Sequence, residues 1–245
     1  RGTEFDIPSD IKFIRSASYW QNKSGSVTWY DNGWNFLDDN LDHVGSCTWN
    51  NQNFDGAAIY SGDPVNTKEL KGRACQLADL YIDKLIEKGV SYAVWSIMCY
   101  SRVPYEESDV LATLQMGVDP EKGKLYEPSR AQMVFPLKGS SLTKYVAYID
   151  LHQRKIIYMD ANLPGHVSSA SGNGEILSEQ MKAYTEYLVS LPSMHDVAEM
   201  LPVGNTKLLY SDKGTTLSNE KAYVFLKENP DNDFKPITIS ELLSE

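Results

Sequence analysis

Acidic and amide side chains are concentrated in two neighbouring parts of the chain that are rich in turn-forming residues. The segment Asp38-Asp39-Asn40-Leu41-Asp42 supplies a group of oxygen-bearing side chains. Downstream, Asp55-Gly56-Ala57-Ala58-Ile59-Tyr60-Ser61-Gly62-Asp63 places a glycine turn on each side of a short apolar run. Oxygen ligands suit hard cations, and turns bring strand ends and loops to one edge of a β-domain. The spacing therefore indicates a cation or polar-ligand site there; alternatively, the glycines only form turns and the acids only solvate a loop.

A nucleophilic site has less support in the sequence. His43 lies beside Asp42 and near Ser46, but residues so close along one loop rarely reach the geometry of a Ser-His-Asp triad. The chain has no Gly-x-Ser-x-Gly, no phosphate-binding glycine loop and no dinucleotide-binding pattern. Its four histidines are scattered without zinc spacing. We therefore predict no catalytic residues and no enzymatic activity, with a hydrolase as the less favoured alternative.

The overall charge of the chain is negative. Its 245 residues contain 33 acidic and 23 basic side chains, a formal net charge of -10, and no basic run stands out. A nucleic-acid partner needs a basic surface for its phosphates, so the sequence predicts no nucleic-acid binding. No apolar run approaches the roughly 18 residues that a membrane helix needs, so no membrane association is predicted either.

The cysteines indicate a reducing compartment. Cys47, Cys75 and Cys99 are an odd number, lie far apart and form no Cys-x-x-Cys pattern. Such residues are typical of reduced, mostly buried thiols, so we predict a cytoplasmic protein. The opening Arg1-Gly2-Thr3-Glu4-Phe5 has the composition of a cloning remnant, so the lack of a signal peptide there indicates little, and these residues are left out of the predicted fold.

Alternating apolar and polar residues predict a mainly β protein. Residues 11–20 and 26–30 have the period of half-buried strands, and Asp31-Asn32-Gly33 then predicts a turn. Residues 91–100 are apolar on both faces, which indicates a central buried strand, and 143–160 predicts a hairpin. Strands separated by turns every ten residues or so, about the spacing of sandwich domains, favour an antiparallel β-sandwich.

Two segments in the middle of the chain are less regular. Residues 75–89 fit one face of a helix and equally one face of a strand, and Gly89 ends the segment in either case. Residues 104–123 carry several acidic side chains and predict a mostly solvated loop.

The composition changes after residue 163. Residues 164–174 contain a run rich in serine and glycine, which indicates a linker. We therefore divide the chain into a β-sandwich over 6–163, this linker, and a small C-terminal α/β extension over 175–245. The extension is predicted to contain an amphipathic helix ending at residue 190, a shorter helix at 193–200, a strand at 223–226 and a helix at 238–243.

The glycine-turn segment resembles a known protein family. Asp55-Gly56-Ala57 with Tyr60-Ser61-Gly62-Asp63 is similar, at the same spacing, to the Asp-Gly-Ser and His-Ser-Gly-Asp stretch of the TerD-like (tellurium-resistance and stress-response) family. Asn66-Thr67 also fits, and Asn40-Leu41-Asp42 is similar to the Asp-x-Asp segment of that family. The second half of the chain resembles large bacterial proteins that carry such a module near their C-terminus.

The resemblance implies a β-sandwich that binds calcium through loop carboxylates at one end, usually without catalysis. It also implies that residues 75–82 form a strand and that helical turns are confined to 84–88. Ca²⁺ is then the expected cofactor. Its expected ligands are Asp38, Asp39, Asn40, Asp42 and Asp63, together with main-chain carbonyl oxygens.

Two departures from the family pattern leave a metal-free loop as the alternative. Gly72-Arg73-Ala74-Cys75 stands where the family has an acidic cluster, and Asn40 stands where it has an aspartate. Because Ca²⁺ prefers about six to eight oxygens, the remaining acids would form one weak site, or Arg73 would neutralise them. The sequence thus predicts a non-enzymatic bacterial module that binds calcium weakly or acts as a protein-interaction scaffold. Its predicted partners are other protein domains, including domains of the same larger polypeptide.

Overall fold

Two six-stranded sheets dominate the described part of the chain. The computed structural model describes residues 2–21, 28–62, 73–107, 109–118, 131–162, 174–191, 207–211 and 222–226. The sheets pack face to face, which confirms the predicted antiparallel β-sandwich. The strands are β1 Glu4–Asp6, β2 Phe13–Gln21, β3 Tyr30–Leu37, β4 His43–Cys47, β5 Asn53–Phe54, β6 Ala58–Tyr60, β7 Arg73–Tyr81, β8 Tyr92–Cys99, β9 Val110–Gly117, β10 Met133–Pro136, β11 Thr143–Asp150, β12 Lys155–Asn162, β13 Lys207–Ser211 and β14 Ala222–Leu226. The helices are α1 Ile82–Glu87, α2 Gly174–Ser190 and a 3₁₀ turn at Tyr105–Glu107.

The first sheet has the strand order β1-β12-β11-β8-β3-β4, and the second has the order β10-β9-β2-β7-β6-β5. Neighbouring strands within both sheets are antiparallel. The predicted central strand at 91–100 is β8, which lies between β11 and β3. Trp95 on β8 is fully buried and stacks on Trp34 of β3, with ring centroids 5.6 Å apart. The predicted hairpin at 143–160 is also confirmed, as β11 and β12.

The ambiguous segment 75–89 forms a strand followed by a short helix. β7 pairs with β2 along its whole length, and α1 follows it directly. Gln76, Ala78 and Leu80 on β7 are buried on the face that meets the other sheet. Gly89 ends the helical turn with a positive φ of 77°, a conformation that glycine adopts without steric cost.

The predicted turn at Asp31-Asn32-Gly33 is wrong, because these residues lie inside β3. Asn32 pairs with Ile97 and Gly33 pairs with Ser96 of β8. The sequence pattern favours a tight hairpin turn, but the side chain of Asn32 points between the two sheets and finds hydrogen-bond partners there. Tertiary contacts therefore override the local turn preference.

The predicted solvated loop at 104–123 is also wrong over part of its length. Val110–Gly117 forms β9, which pairs with β2 and buries Val110, Ala112 and Leu114 on its inward face. Glu106 and Glu107 do lie exposed in the 3₁₀ turn that precedes it. The acidic residues on both sides of this segment made it resemble a loop. Its apolar alternation is short, and β9 is a strand because it pairs with β2 and β10. Asp119 and Glu121 lie outside the described residues.

The N-terminal residues that were left out of the predicted fold take part in it. Glu4–Asp6 forms β1, which pairs with β12 at the edge of the first sheet. Lys155 of β12 also donates a hydrogen bond to the Glu4 carboxylate. The contribution of this strand was missed because the segment was set aside on composition alone.

Helix α2 covers part of the outer face of the first sheet. Leu177 and Met181, on one side of its first turns, are fully buried, as the predicted amphipathic spacing requires. Tyr145 and Met159, from β11 and β12, lie opposite them. No helix in the described residues is long and apolar enough to cross a membrane.

The chain divides into two compact units, Arg1–Thr185 and Glu186–Glu245. In the second unit β13 and β14 form a parallel pair, and β14 confirms the predicted strand at 223–226. The predicted helices at 193–200 and 238–243 fall outside the described residues, as does most of the linker predicted at 164–174. The predicted limits of the sandwich, the linker and the extension stay a prediction.

Candidate functional site: the acidic loop between two strands

The acidic loop, residues 38–42, connects β3 to β4 and closes on itself. The Asp38 carboxylate accepts hydrogen bonds from the backbone N–H groups of Asn40 and Asp42, both at 2.9 Å. The Asp38 N–H donates to the Asp42 carbonyl at 3.0 Å, and Leu41 adopts a positive φ of 62°. This is the local side-chain bonding by which aspartate forms turns. Asp38 therefore shapes the loop through its own backbone.

Asp39 connects the acidic loop to two other elements. Ser91, just before β8, donates its hydroxyl hydrogen to Asp39 Oδ1. His152, in the turn between β11 and β12, brings its Nε2 to 3.8 Å from the same oxygen and to 3.2 Å from Ser91 Oγ. The acidic loop, the start of β8 and the hairpin turn thus meet at one polar cluster.

Asp42 and Leu41 connect the acidic loop to α2. Lys182 Nζ lies 2.9 Å from Asp42 Oδ1, with both side chains about half exposed. One turn earlier, Ser178 Oγ donates to the Leu41 carbonyl oxygen at 2.5 Å, and Ser178 is buried. Residues four apart lie on the same face of a helix, so both donors point to the loop together. The loop is therefore the point at which α2 attaches to the sandwich.

The acidic loop uses one oxygen of each of its three aspartate carboxylates within the protein. Oδ1 of Asp38, of Asp39 and of Asp42 accepts a bond from a donor of the protein, whereas Ca²⁺ prefers about six to eight oxygen ligands. In the described part of the chain, no three His, Cys, Asp or Glu side chains cluster as metal ligands. Asp63 lies outside the described residues. The predicted site at Asp38, Asp39, Asn40, Asp42 and Asp63 stays a prediction.

Neutralisation of the remaining acids by Arg73 stays a prediction. Arg73 is exposed at the first position of β7. The acids of the loop that the structure describes are bonded by Lys182, Ser91 and His152 instead. The cation that pairs with Asp42 in the described residues thus comes from a helix more than a hundred residues downstream, which no local pattern could indicate.

The glycine-turn segment, residues 55–63, carries the family resemblance, and its described part pairs with β7 near the edge of the second sheet. Asp55 and Gly56 have positive φ angles of 48° and 71°, and Gly62 has one of 101°, as the turn prediction requires. Between these turns, the Ser61 N–H donates to the Leu77 carbonyl at 2.9 Å, and the Leu77 N–H donates to Ser61 Oγ at 2.8 Å. Ser61 therefore extends the pairing of β6 with β7 by one residue.

Ser91, His152 and Asp39 are the residue types of a hydrolase triad but not its geometry. In a triad, one ring nitrogen of histidine accepts the serine hydroxyl and the other donates to aspartate. Here Ser91 and Asp39 both approach Nε2 of His152, and the Ser91 proton is donated to the carboxylate. The Asp39 side chain is 84% exposed, so it is not a buried group that orients the ring.

Asp42, His43 and Ser46 are close in sequence, but their side chains do not form a common site. Asp42 faces Lys182, whereas His43 Nε2 lies 3.2 Å from Asn35 Oδ1 on the neighbouring strand. Burial lowers the pKa of His43. Ser46 is buried and bonds Asn51. The three side chains therefore have separate partners.

A buried polar network between the sheets was not predicted. Asn32 Nδ2 donates to Ser16 Oγ at 3.0 Å, and Trp95 Nε1 donates to Asn32 Oδ1 at 2.6 Å. Trp34 Nε1 donates to Ser16 Oγ at 2.7 Å, and the Asn32 N–H donates to Gln76 Oε1 at 2.9 Å. The available signal was Gln76, a polar residue between Ala74 and Ala78 on the same face of its strand. Because its members bond one another, the network is structural.

The chain is similar to known proteins in structure rather than in sequence. No protein-family model matches the chain, and no curated protein matches it. Solved structures that are similar include a protein of unknown function, SAV2460, at 13% identity and a TM-score of 0.49, over 69% of this chain and 98% of that one. A homologue of telluride resistance protein (TerD) from Streptomyces coelicolor A3(2) is similar at 8% identity and a TM-score of 0.44, over 62% of this chain and 92% of its own. The fold of the chain is thus similar to that of a TerD homologue.

Proposed function

We propose that the chain is a non-enzymatic TerD-like stress-response module that acts as a metal-free protein-interaction scaffold. The proposal that the module is metal-free rests on the hydrogen bonds made by the acidic loop. Its three carboxylates accept hydrogen bonds from backbone N–H groups, from Ser91 and from Lys182. One oxygen of each of these three aspartates is therefore engaged within the protein, which leaves fewer oxygens for the six to eight that Ca²⁺ prefers. The stress-response assignment rests on the sequence resemblance of residues 55–63.

The absence of an activity is part of the proposal and is supported by two arrangements. Ser91 donates its proton to Asp39, which removes it from the role of a nucleophile activated by His152. Burial raises the pKa of Cys47 and Cys75 to about 12, so neither thiol ionises readily near neutral pH. Together with Cys99 these are free cysteines, which supports a cytoplasmic location.

The proposed partners are protein domains, including those of the same larger polypeptide. The net charge of -10 favours a partner with a basic surface and disfavours a nucleic acid. Small apolar side chains on the strands, such as Val44 and Ile59, are 41% and 42% exposed and supply candidate contact points.

The scaffold role predicts association that does not depend on calcium. The chain and the neighbouring domains of its native polypeptide would be purified separately, mixed, and examined by size-exclusion chromatography with light scattering, once in EDTA and once in excess Ca²⁺. We expect a complex of the summed mass in both buffers. A complex in Ca²⁺ alone would favour the second candidate, a calcium-linked module. No complex in either buffer would contradict the scaffold role.

A further inference from the structure

A cavity of about 190 Å³ lies between α2 and the outer face of the first sheet. It is open to solvent on one side, where Asn162 is exposed, and it is deepest at the buried side chains of Met159, Leu177 and Met181. Its walls are Tyr145, Met159, Ala161, Leu177, Met181 and Tyr184. Asn162 and Gln180 also line it and bring amide groups to an otherwise apolar space.

The strands that form the floor of this cavity are irregular at this place. β11 has a register shift between Tyr145 and Ala147 relative to β8, and a second shift there relative to β12. Opposite Val146, β12 accommodates two residues, Met159 and Asp160, instead of one. Such bulges bend a strand and redirect side chains, and they are over-represented beside active sites. The two adjacent bulges coincide with the cavity floor.

Asp160 adds backbone strain at the same point. It has a positive φ of 45°, which is uncommon for a residue other than glycine, and it lies between the cavity residues Met159 and Ala161. Lys144 Nζ holds its carboxylate at 2.5 Å and also donates to the Lys138 carbonyl. Strained residues persist when their surroundings hold them in place, and they are common at ligand sites. The bulges, the strain and the cavity are three separate features at one position.

We propose that this cavity binds a small uncharged aromatic compound of the size of a phenol or an indole. An engineered apolar cavity of about 150 Å³ in another protein binds benzene, so the volume here suits a ring with one substituent or a fused second ring. Met159 and Met181 supply thioether sulfurs, which make favourable contacts with aromatic ring edges. The amides of Asn162 and Gln180 suit one hydroxyl or ring N–H on the ligand.

The lining also argues against a charged ligand. None of the side chains that line the cavity is a carboxylate, an amine or a guanidinium. Burial raises the pKa of the Tyr145 hydroxyl, which keeps it neutral as well. A carboxylate or ammonium group placed against the buried part of the lining would therefore lose hydration without gaining an opposite charge. This inference is independent of the scaffold role and of calcium binding.

The test uses the whole chain and defined probes. Binding of indole and p-cresol would be measured by ligand-observed NMR and calorimetry, with cyclohexanol as a non-aromatic control and benzoate as a charged control. We expect saturable binding of indole or p-cresol and at least about tenfold weaker binding of both controls. Failure of indole and p-cresol to bind, or equal binding of benzoate, would overturn the proposal.

Variants locate the site. Ala161→Leu fills the cavity from its floor and should weaken indole binding by at least about tenfold, whereas Ala183→Leu makes the same change at an exposed position of α2 and should leave it unchanged. A melting curve checks that each variant folds. If Ala161→Leu does not fold, the smaller substitution Ala161→Val is used in its place. Indole affinity that is equal in the wild type and in the folded Ala161 variant would place the ligand elsewhere and contradict the assignment.

Discussion

Asn32 contacts both sheets from the middle of β3, a position at which an amide would be costly without partners. It is 1% exposed and exchanges hydrogen bonds with Ser16, Gln76 and Trp95. A buried polar group that loses its partner retains the full cost of desolvation, so each member of such a network depends on the others. The network also fixes which residues of the two sheets face each other.

Replacement of Asn32 should therefore destabilise the protein strongly. Asn32→Ala leaves the Trp95 indole N–H without its acceptor and creates a small void, so we expect a loss of about 2–4 kcal/mol in the free energy of unfolding. Urea denaturation followed by tryptophan fluorescence measures it. Asn40→Ala, at an exposed position of the acidic loop, is the matched control and should change stability by less than about 0.5 kcal/mol. Equal effects of the two variants would show that the network is not required.

His43 gives the protein a pH dependence. Burial lowers its pKa below the usual 6.5, so the unfolded chain takes up a proton first as the pH falls. The stability due to neutral His43 is complete above pH 6.5 and is lost as the pH falls towards the lowered value. His43→Gln has no such proton to bind, so its melting temperature should fall less steeply than that of the wild type between about pH 7 and pH 5. Parallel curves for the two proteins over this range would contradict the assignment.

At the scale of elements, α2 is held by one buried and one exposed contact with the acidic loop. The hydroxyl of Ser178 is buried against the Leu41 carbonyl oxygen, whereas Lys182 and Asp42 form an ion pair exposed to solvent. Exposed ion pairs contribute about 0–1 kcal/mol, because water and salt screen them. The buried hydrogen bond and the burial of Leu177 and Met181 should therefore dominate the docking of the helix.

Removal of the Ser178 hydroxyl tests this order. Ser178→Ala leaves the Leu41 carbonyl oxygen without this donor, so we expect the free energy of unfolding to fall by about 1 kcal/mol. We also expect amide hydrogen exchange to become faster than in the wild type over residues 177–185, while exchange over β8 changes less. Ser190→Ala removes an exposed hydroxyl that bonds its own helix and should change neither quantity. If the Ser178 and Ser190 variants exchange equally, the hydroxyl does not anchor the helix.

The elements also show which features the sequence could predict. β8 and the β11–β12 hairpin were predictable because their own composition and alternation are sufficient, and α2 was predictable because Leu177 and Met181 mark one helical face. The path of β3 through Asp31-Asn32-Gly33 was not, because the partners of Asn32 come from distant strands. β9 was not predicted for a related reason: acidic residues on both sides indicate a loop, whereas the strand depends on pairing with β2, which is distant in sequence.

For the whole molecule, the sequence placed chemistry at the acidic loop but could not show how its acids are used. Lys182 follows Asp42 by 140 residues, and Ser91 and His152 belong to two further elements. Spacing along the chain gives the type of each ligand but not the donors that the fold brings to it. We therefore propose a metal-free module whose acidic loop joins β8, the hairpin turn and α2.

The melting temperature with and without calcium tests this claim most directly. The wild-type chain would be freed of metal with a chelator and melted in EDTA, in excess Mg²⁺ and over a Ca²⁺ titration. Because a ligand that binds the folded state raises its stability with concentration, an occupied site would give a saturable increase with Ca²⁺. We predict equal melting temperatures in all three conditions. A saturable rise specific to Ca²⁺ that Asp42→Asn abolishes would contradict the account and restore the predicted calcium site.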